Sequence, residues 1–459
     1  MKIAKLPSSY KDPSGFVFQH QGKIFRQINE GYEDTYKHLM TSGLYKKLID
    51  TNTLIPHTEV DLKFNKTSKT IIEPKPIPFI SYPYEWSFSQ LKDAALLTLF
   101  VQKTALSFGM SLKDASAFNI QFIDGKPIFI DTLSFEMYKE GKPWIAYKQF
   151  CEHFLAPLAL MAHTDFRLQK LFSSYLNGIP LDLAAKLLPL QAKVRPANFL
   201  HIFLHARSQK TFIDESVEKK SKGQRFTKHS FLGLVDSLES SIQHIKLPIA
   251  KTVWSSYYND NNYQDATFNK KKDVVTEYVK KVSPKTLWDM GANTGVFSRI
   301  AAKLGVFTVA MDSDFIVVEQ NYLEMKKQNE KNILPLWIDI TNPSASIGFA
   351  AQERDSLFKR PLPDAILALA LIHHLAIGHN IPLATLAEFF AQMTNWLIIE
   401  FVSKEDSQVK RLLQNREDIF PNYTKESFKK EFSTFFVAKN ETLLPNSHRT
   451  LYLMQKRKS

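Results

Sequence analysis

The sequence predicts an α/β protein of about two domains, in which an α+β, helix-rich domain precedes a domain built on a parallel sheet. Three observations support this fold class. Apolar segments that end in an acid or a glycine alternate with helical patterns over residues 287–402, which is typical of a parallel sheet covered by helices. A tight hairpin with Asp-Gly at its turn lies at 119–131, ahead of helical patterns rich in Leu and Ala. The chain of 459 residues also exceeds the usual size of one domain.

The N-terminal part combines short strands with helices. Three prolines, at 157, 180 and 189, are expected to divide the helical region that completes this part into short helices. The predicted elements are a strand pair at 16–18 and 23–28, helices at 32–50 and 91–107, a strand at 79–86, and the hairpin at 119–131.

The hairpin gathers three polar side chains at its open end. Pairing of its strands brings Asn119 and Asp131 together, and Asp114 lies just upstream in a non-regular segment. This D-x-x-x-x-N spacing, followed by a hairpin-terminal D, resembles the catalytic loop and metal-binding Asp of the protein-kinase and aminoglycoside-phosphotransferase superfamily. The resemblance implies a protein-kinase-like fold in which Asp114 is a catalytic residue that orients the accepting hydroxyl. Asn119 and Asp131 would then be metal ligands that hold Mg on the phosphates of ATP.

Several features of that superfamily are missing from the sequence. No Gly-rich phosphate loop precedes Gly22, no V-A-I-K-like strand supplies a clear phosphate-binding lysine, and the expected D-F-G reads D-T-L at 131–133. The alternative interpretation is a polar turn ahead of a hairpin. The sequence therefore leaves open an active kinase, a pseudokinase and a different fold.

A change of composition separates the two predicted domains. Residues 207–229 shift to Lys, Glu, Ser and Gly with little periodicity, and a helical pattern follows at 231–245. An aromatic group at 254–263 is either a lid over the second domain or a satellite core packed on the first. The predicted organisation is an N-terminal domain at 1–206, a linker with a connecting helix at 207–250, and a C-terminal domain at 251–459.

The most informative motif is L-W-D-M-G-A-N-T-G at 287–295, where a short apolar strand runs into a glycine turn and then a helix. Gly291 and Gly295 lack the Cβ atoms that would keep a ligand away from the backbone, and Asp289 leaves an acceptor at the strand tip. The spacing G-x-x-x-G differs from the G-x-G-x-x-G of dinucleotide sites. The turn therefore lacks the spacing that binds a pyrophosphate, and this favours S-adenosylmethionine (SAM), which has no pyrophosphate, over NAD as the ligand.

Acids end the next two predicted strands as well. The segment V-F-T-V-A-M-D ends on Asp312, where a carboxylate can accept two hydrogen bonds from a ribose diol. The segment L-W-I-D-I contains Asp339 and Ile340 at its end. The remaining predicted strands lie at 364–372 and 396–402, with a closing antiparallel pair at 435–438 and 449–454.

This series of strands and motifs resembles the class I SAM-dependent methyltransferases. The phrases D-M-G-A-N-T-G, L-A-L-A-L-I-H-H-L and I-I-E-F-V-S-K-E-D look most like the bacterial NoeA-type nodulation methyltransferases. The resemblance implies a Rossmann-like seven-stranded methyltransferase sheet, SAM as cofactor, and a small-molecule or carbohydrate hydroxyl as acceptor. The implied cofactor-binding residues are Asp289, Gly291, Asn293 and Gly295 on the methionine side, Asp312 at the ribose, Asp339 at the adenine, and also Ile340 and Ala370.

Tandem histidines follow the fourth predicted strand of this series. Imidazole titrates near neutrality, so His373 or His374 could be the catalytic base that removes a proton from an attacking hydroxyl or amine. The alternative is that one histidine packs or hydrogen-bonds in the loop that closes over the methionine part of SAM. The N/D-P-P-Y motif of amino-methylating nucleic-acid enzymes is missing here, which disfavours amino groups of bases as acceptors.

Composition limits the partners and the location. The net charge of +13 raises the question of an acidic partner such as RNA, but the basic residues alternate with acids and no RNA-binding motif is recognisable. Cys151 is the only cysteine, and the apolar runs are too short to span a bilayer. We therefore expect a cytoplasmic enzyme. Beside a methyltransferase, the hypotheses are a bifunctional protein with an N-terminal phosphotransferase, an RNA or protein methyltransferase, and a degenerate scaffold.

Overall fold

The chain folds into two compact units in a computed structural model. The N-terminal unit comprises Met1–Ile249 and Ser346–Asp355, and the C-terminal unit comprises Ala250–Ala345 and Ser356–Ser459. The structure describes residues 4–62, 70–204, 227–248, 265–414 and 417–458. Residues 207–226 of the predicted linker and the aromatic group at 254–263 lie outside these residues.

An antiparallel sheet forms one part of the N-terminal unit. Its strands are β1 (Ala4–Lys5), β2 (Gly15–His20), β3 (Lys23–Ile28), β4 (His57–Glu59) and β5 (Thr70–Pro74), and within the described residues their order is β1-β2-β3-β5-β4. Gln21 and Gly22 form the turn between β2 and β3, and both have positive φ, as a type I′ hairpin turn requires. The predicted strand pair is therefore confirmed. Phe18, Phe25 and Ile71 pack together on this sheet.

Helices make up much of the rest of the N-terminal unit. They are α1 (Glu33–Thr41), α2 (Leu44–Asp50), α3 (Phe88–Ser107), α4 (Tyr147–Phe150), α5 (Ala156–His163), α6 (Leu181–Leu187), α7 (Leu190–Lys193), α8 (Pro196–Asn198) and α9 (Lys228–His244). Shorter 3-10 and π turns lie at Glu30–Tyr32, Pro83–Glu85, Ala117–Asn119, Cys151–Leu155, Phe166–Ser173, Phe199–Leu204 and Phe349–Ala351. Ser87 and Gln90 form a capping box at the start of α3, which satisfies two amides of its first turn.

Three predictions for this unit were wrong. The segment 79–86, predicted as a strand, contains a 3-10 turn at Pro83–Glu85, with proline at its first position. The single helix predicted at 32–50 is two helices, because Gly43 takes a left-handed conformation with φ of 91° before α2. Pro157 does not divide the chain, since the π turn that precedes α5 accommodates a residue without an amide hydrogen. Pro180 and Pro189 each stand directly before a helix, as predicted.

The predicted Asp-Gly hairpin is confirmed. Its strands are β7 (Ile120–Ile123) and β8 (Lys126–Phe129), which pair with each other. The strands before and after them along the chain, β6 (Met110–Leu112) and β9 (Phe135–Met137), form a second antiparallel pair. Asp124 and Gly125 both have positive φ at the turn. At the open end, the Ile130 amide donates to the Asn119 carbonyl at 2.8 Å. The pairing of β6 with β9 therefore brings residues 113–119 and 130–134 close together.

A mixed sheet forms the centre of the C-terminal unit. Its strands are β10 (Thr286–Met290), β11 (Phe307–Asp312), β12 (Ile333–Trp337), β13 (Ala365–Ala368), β14 (Trp396–Val402), β15 (Phe436–Leu443) and β16 (Arg449–Lys456). Among the described residues these seven strands have the order β12-β11-β10-β13-β14-β16-β15. The first five are parallel, and β16 runs antiparallel to both β14 and β15. The predicted seven-stranded sheet with a closing antiparallel pair is confirmed.

Helices cover the C-terminal sheet. They are α10 (Asp265–Val282), α11 (Val296–Lys303), α12 (Phe315–Gln328), α13 (Leu383–Met393), α14 (Ser407–Leu413) and α15 (Lys425–Phe435), with shorter turns at Leu357–Lys359 and His374–Gly378. The apolar faces of α10 and α11 pack with β10, β13 and β16 in one core, through residues such as Val275, Ala301 and Leu287. Within the described ranges, no helix has both the length and the apolar character needed to cross a membrane.

Between β12 and β13, the chain contributes a short segment to the N-terminal unit. Glu353, in the segment Ser346–Asp355, accepts hydrogen bonds from the Tyr10 hydroxyl and, at 2.9 Å, from the Lys11 ammonium. The amide of Phe349 donates to the same carboxylate at 3.0 Å. The second half of the sequence therefore completes a unit that the first half begins.

Candidate functional site

The carboxyl ends of parallel strands meet at one edge of the C-terminal sheet. The strand order reverses between β10 and β13, which is where open α/β sheets bind ligands. A cavity of about 300 Å³ lies there. Six predicted site residues line it: Asp289, Gly291, Asn293, Asp312, Ala370 and His374.

The predicted glycine motif forms the turn from β10 into α11. The amides of Gly291 and Ala292 both donate to the Met311 carbonyl at 2.9 Å, which ties the turn to β11. Gly291 has φ of 76°, and a Cβ at this position would lie 3.3 Å from Leu371 Cδ1. Both the backbone conformation and the opposite side chain therefore favour glycine, which leaves the turn open towards the cavity.

Two carboxylates flank this turn, Asp289, which is buried, and Asp312, which is partly buried. Asp312 accepts the amides of Asn293 at 2.8 Å and Asp314 at 2.9 Å, and Asp289 accepts the Ser298 hydroxyl at 2.6 Å. Burial raises the pKa of both carboxyls to about 6, although these hydrogen bonds favour the ionised forms. At pH 7 both groups are mostly ionised, so they bring negative charge and acceptor oxygens to the cavity wall.

Four predicted residues lie away from the cavity wall in the described part of the chain: Gly295, Asp339, Ile340 and His373. A Cβ on Gly295 would lie 2.5 Å from Asn321 Oδ1, so glycine is needed there for packing at the start of α11. Asp339 caps a turn, because it accepts the Thr341 amide and hydroxyl at 2.8 and 2.7 Å. The cofactor roles given to Gly295, Asp339 and Ile340 stay predictions.

Ala370 lies just after β13 in a left-handed conformation, with φ of 50°. A residue with a Cβ pays about 1–2 kcal/mol for this conformation, so the surroundings must hold it. The Ala370 amide donates to Glu400 Oε2 at 2.7 Å. This bond to a fully buried carboxylate fixes the loop that carries His374 at the cavity.

The tandem histidines have different positions. His374 lines the cavity, whereas His373 is buried behind it, with the two ring centres 4.1 Å apart. Burial, aided by the nearby charge of Arg449, lowers the pKa of His374 to about 4. Burial and the neighbouring basic groups also lower the pKa of His373 well below its usual value. Both rings are therefore neutral at pH 7, and the role of either one as a base stays a prediction.

The sequence analysis missed a network of buried charges beside the cavity. Lys271 donates to Glu400 at 2.6 Å, and Arg449 makes two hydrogen bonds to Asp406 at 2.7 and 3.0 Å. Arg449 Nη1 also lies 3.7 Å from Glu400 Oε1. The side chains of all four residues are at most 10% exposed. The pair formed by Lys271 and Glu400 therefore links α10 to β14 at the cavity.

Two signals for this network are present in the sequence. Lys271 follows Phe268 by three positions and precedes Val275 by four, so it lies on the apolar face of α10 and not on the solvated face expected for scattered lysines. Glu400 is a single charge within an apolar strand. The cavity-lining residues that the sequence analysis did not identify are Phe268, Lys271, Ala292, Phe297, Ser313, Leu369, Leu371 and His379.

The N-terminal unit brings the three residues of the kinase-like pattern together. Asp114 Oδ1 accepts a hydrogen bond from Gln149 at 2.8 Å, and Asn119 donates to Ser134 at 3.2 Å. Burial and the charge of Asp131 raise the pKa of Asp114, against hydrogen bonds that favour its carboxylate. The three side chains therefore lie close together near the open end of the hairpin, as the sequence pattern predicted, but the catalytic role of Asp114 stays a prediction.

A cation of the protein itself already neutralises Asp131. Arg26 on β3 forms an ion pair with Asp131 and a second one with Asp12 at 2.9 Å. No group of three or more His, Cys, Asp or Glu side chains that could hold a metal is found among the described residues. In this arrangement the site does not fit Mg, because Arg26 would first have to leave Asp131. The metal roles of Asn119 and Asp131 stay predictions.

The chain is similar over nearly its whole length to a curated bacterial protein. The nodulation protein NoeA of Rhizobium meliloti (strain 1021) is 35% identical over 460 residues, which cover 98% of this chain and 96% of that protein. No protein-family model matches the sequence. The solved structure of the bifunctional kinase-methyltransferase WbdD matches with 15% identity and a TM-score of 0.33, over 44% of this chain and 41% of WbdD. The N-methyltransferase NodS from Bradyrhizobium japonicum WM9 matches with 10% identity and a TM-score of 0.32, over 42% of this chain and 99% of NodS.

Proposed function

This chain belongs to the family of the nodulation protein NoeA, and we propose that it is a methyltransferase whose C-terminal unit binds SAM. The observation that carries the proposal is a pair of acids on adjacent parallel strands, Asp289, which is buried, and Asp312, which is partly buried. Both acids line a cavity beside the open turn at Gly291. A nucleoside that carries a charged amino-acid group fits this combination of backbone access and acceptor oxygens.

The residues of the cavity would hold the two ends of the cofactor. Asp312 would accept hydrogen bonds from the ribose hydroxyls, and Asp289 lies on the side of the amino-acid group. When bound, SAM supplies a methyl group on a positively charged sulfur. The negative charges of Asp289 and Asp312 favour a ligand of this charge, and the apolar side chains of Leu369 and Leu371 line the same cavity.

We take the acceptor to be a hydroxyl of a small molecule or a carbohydrate. His374 is neutral at pH 7 and lines the cavity, so it can accept a proton from such a hydroxyl. Its low pKa makes it a weak base, and correct positioning of the acceptor would supply most of the rate. An RNA or a protein is the competing acceptor class, and the cytoplasmic location expected from the sequence stays a prediction.

Calorimetric titration with S-adenosylhomocysteine (SAH) tests the cofactor. We expect micromolar binding by the wild-type chain and a loss of roughly tenfold or more in Asp312→Ala, since each charge-assisted hydrogen bond contributes about 1.5–3 kcal/mol. Asp273→Ala is the matched control, because Asp273 is exposed on α10. Circular dichroism checks that each variant is folded. No binding of SAH to the folded wild-type chain would exclude the methyltransferase function.

A second candidate function is phosphotransfer by the N-terminal unit, which would make the protein bifunctional. The grouping of Asp114 with Asn119 and Asp131 supports this candidate, and the ion pair of Arg26 with Asp131 counts against it. Titration with ATP, with and without Mg, distinguishes the two cases. If ATP binds in the presence of Mg, and Asp131→Ala loses this binding but keeps SAH binding, a bifunctional enzyme is favoured. If neither ATP nor SAH binds, a degenerate scaffold becomes the better hypothesis.

A further inference from the structure

Lys271 is a buried cation in the wall of the C-terminal cavity. Its side chain is 3% exposed, and its ammonium donates to Glu400 Oε2 at 2.6 Å. The same ammonium lies 4.9 Å from the centre of the Phe297 ring, which also lines the cavity. Lys270, the preceding residue on α10, is exposed to solvent. Of the three consecutive lysines at 270–272, Lys271 is therefore the one that lines the cavity.

Stability alone gives little reason for a lysine at this place. Removing an ammonium and a carboxylate from water costs free energy, and an apolar pair of similar volume often stabilises a core equally well. Burial lowers the pKa of Lys271, although the charge of Glu400 favours its protonated form. Because the ammonium lies at a cavity wall, a bound anionic group would compensate its charge further. This wall position favours a role in ligand binding.

The charges on the cavity wall have two signs. Asp289 is the acid on the side of the amino-acid group, and the nearby Lys271 charge favours its ionised form, against the burial that raises its pKa. An amino-acid group carries an ammonium and a carboxylate on the same carbon atom. A neighbouring acid and lysine therefore complement both of its charges, and Asp312 remains beside the ribose hydroxyls.

We propose that Lys271 binds the carboxylate of the amino-acid group of SAM, and that Glu400 is the positioning residue for this contact. Glu400 Oε2 accepts both the Lys271 ammonium at 2.6 Å and the Ala370 amide at 2.7 Å. One fully buried oxygen thus fixes the lysine and the loop after β13. The inference rests on the function proposed above, since it assigns a protein group to one end of that cofactor.

The test compares two ligands that differ in this carboxylate. SAH carries it, whereas S-adenosyl-3-thiopropylamine lacks it and keeps the amine. For the wild-type chain, we expect calorimetry to show roughly tenfold or more tighter binding of SAH. In Lys271→Met, the affinity for SAH falls to about that of the amine analogue, while the affinity for the analogue changes by less than about threefold. Lys271→Arg keeps part of the discrimination.

Two further variants separate binding from folding. Lys271→Met leaves Glu400 buried without this partner, so the double variant Lys271→Met/Glu400→Gln removes both charges together. We expect the double variant also to lose discrimination between the ligands. Glu400→Gln keeps the size of the side chain and is expected to weaken SAH more than the analogue. Lys270→Met is the matched control and keeps the wild-type ratio of affinities.

The outcomes are distinguishable. A wild-type ratio of affinities in both Lys271→Met and the double variant would overturn the assignment of Lys271 while leaving SAM binding intact. An equal loss for the two ligands would show that Lys271 only maintains the shape of the cavity, and would overturn it as well. If the folded wild-type chain binds neither ligand, the proposed cofactor fails together with this inference.

Discussion

Arg26 on β3 forms an ion pair with Asp131, the residue that the sequence predicts to be a magnesium ligand. Their side chains are only 13% and 15% exposed, so solvent screens the pair weakly. A guanidinium thus supplies the positive charge that a divalent cation would supply at this carboxylate. Asp12 accepts a hydrogen bond from Nη2 of the same guanidinium at 2.9 Å.

We expect this pair to contribute to the stability of the N-terminal unit. Asp131→Ala leaves Arg26 partly buried with one acidic partner fewer, which should lower the free energy of unfolding by roughly 2–3 kcal/mol. Urea denaturation of Arg26→Met, Asp131→Ala and the double variant measures the coupling between the two residues. The control is the exposed pair of Lys23 and Glu73, whose lysine also lies on β3. Its coupling energy should be less than about 1 kcal/mol. If the effects of Arg26→Met and Asp131→Ala on the free energy of unfolding simply add in the double variant, the ion pair does not contribute to stability.

Glu353 should make stability depend on acid pH. Burial opposes its ionisation, but hydrogen bonds from Tyr10, Lys11 and the Phe349 amide outweigh burial and lower its pKa to about 2. Because the unfolded state binds this proton first, the stabilisation is complete above about pH 5 and is lost as the pH falls towards 2. We expect this stabilisation to be about 1–2 kcal/mol, because Tyr10 and Lys11 are half-exposed and solvent screens their interaction with Glu353.

Urea denaturation of the wild-type chain and Glu353→Gln at pH 7 and pH 3 measures this effect. The difference between the two proteins should shrink at the lower pH. Glu324→Gln, on the exposed surface of α12, is the control and should show no such change. A difference that is the same at both pH values would mean that Glu353 acts through its shape and not through its charge.

Gly295 should be required for folding more strictly than Gly305, although both have positive φ. A Cβ on Gly295 would lie 2.5 Å from Asn321 Oδ1 and 2.7 Å from Arg299 Nη1, whereas nothing lies within 4 Å of one on Gly305. Gly305→Ala should therefore cost about 1 kcal/mol of backbone strain, and Gly295→Ala roughly 2–4 kcal/mol because overlap is added. Thermal and urea unfolding of the two variants compare them directly. Equal costs would show that the side chains of Asn321 and Arg299 move aside freely.

His374 should remain neutral down to about pH 4, because burial and then Arg449 lower its pKa. Between pH 6.5 and pH 4, the unfolded state binds the proton and the folded state does not, so stability falls as the pH falls through this window. The loss is up to about 3 kcal/mol, from 1.36 kcal/mol for each pKa unit. NMR titration of the ring measures the pKa, and His374→Asn should flatten the stability profile in this window. His229→Asn, at an exposed position on α9, serves as the control. A ring that titrates near pH 6.5 would contradict this environment.

Local patterns in the sequence were sufficient for the architecture of the C-terminal unit. The strand that ends at Asp289, the glycine turn and the helix that follows are adjacent in sequence, and Asp312 ends the next strand. Parallel strands present their carboxyl ends at one edge, so these residues converge once the sheet forms. The Asp-Gly hairpin was predictable for the same reason, since its turn type depends on two neighbouring residues.

Partners that are distant in sequence could not be predicted from spacing. Lys271 and Glu400 are separated by 129 positions, and Arg26 and Asp131 by 105. Which buried charge meets which depends on how helices pack on sheets, and a periodic pattern specifies only the face on which each charge lies. The sequence therefore established the glycine turn and the acids of the cavity. The folded chain added the lysine beside them, and it placed an arginine at Asp131, where a metal ion had been expected.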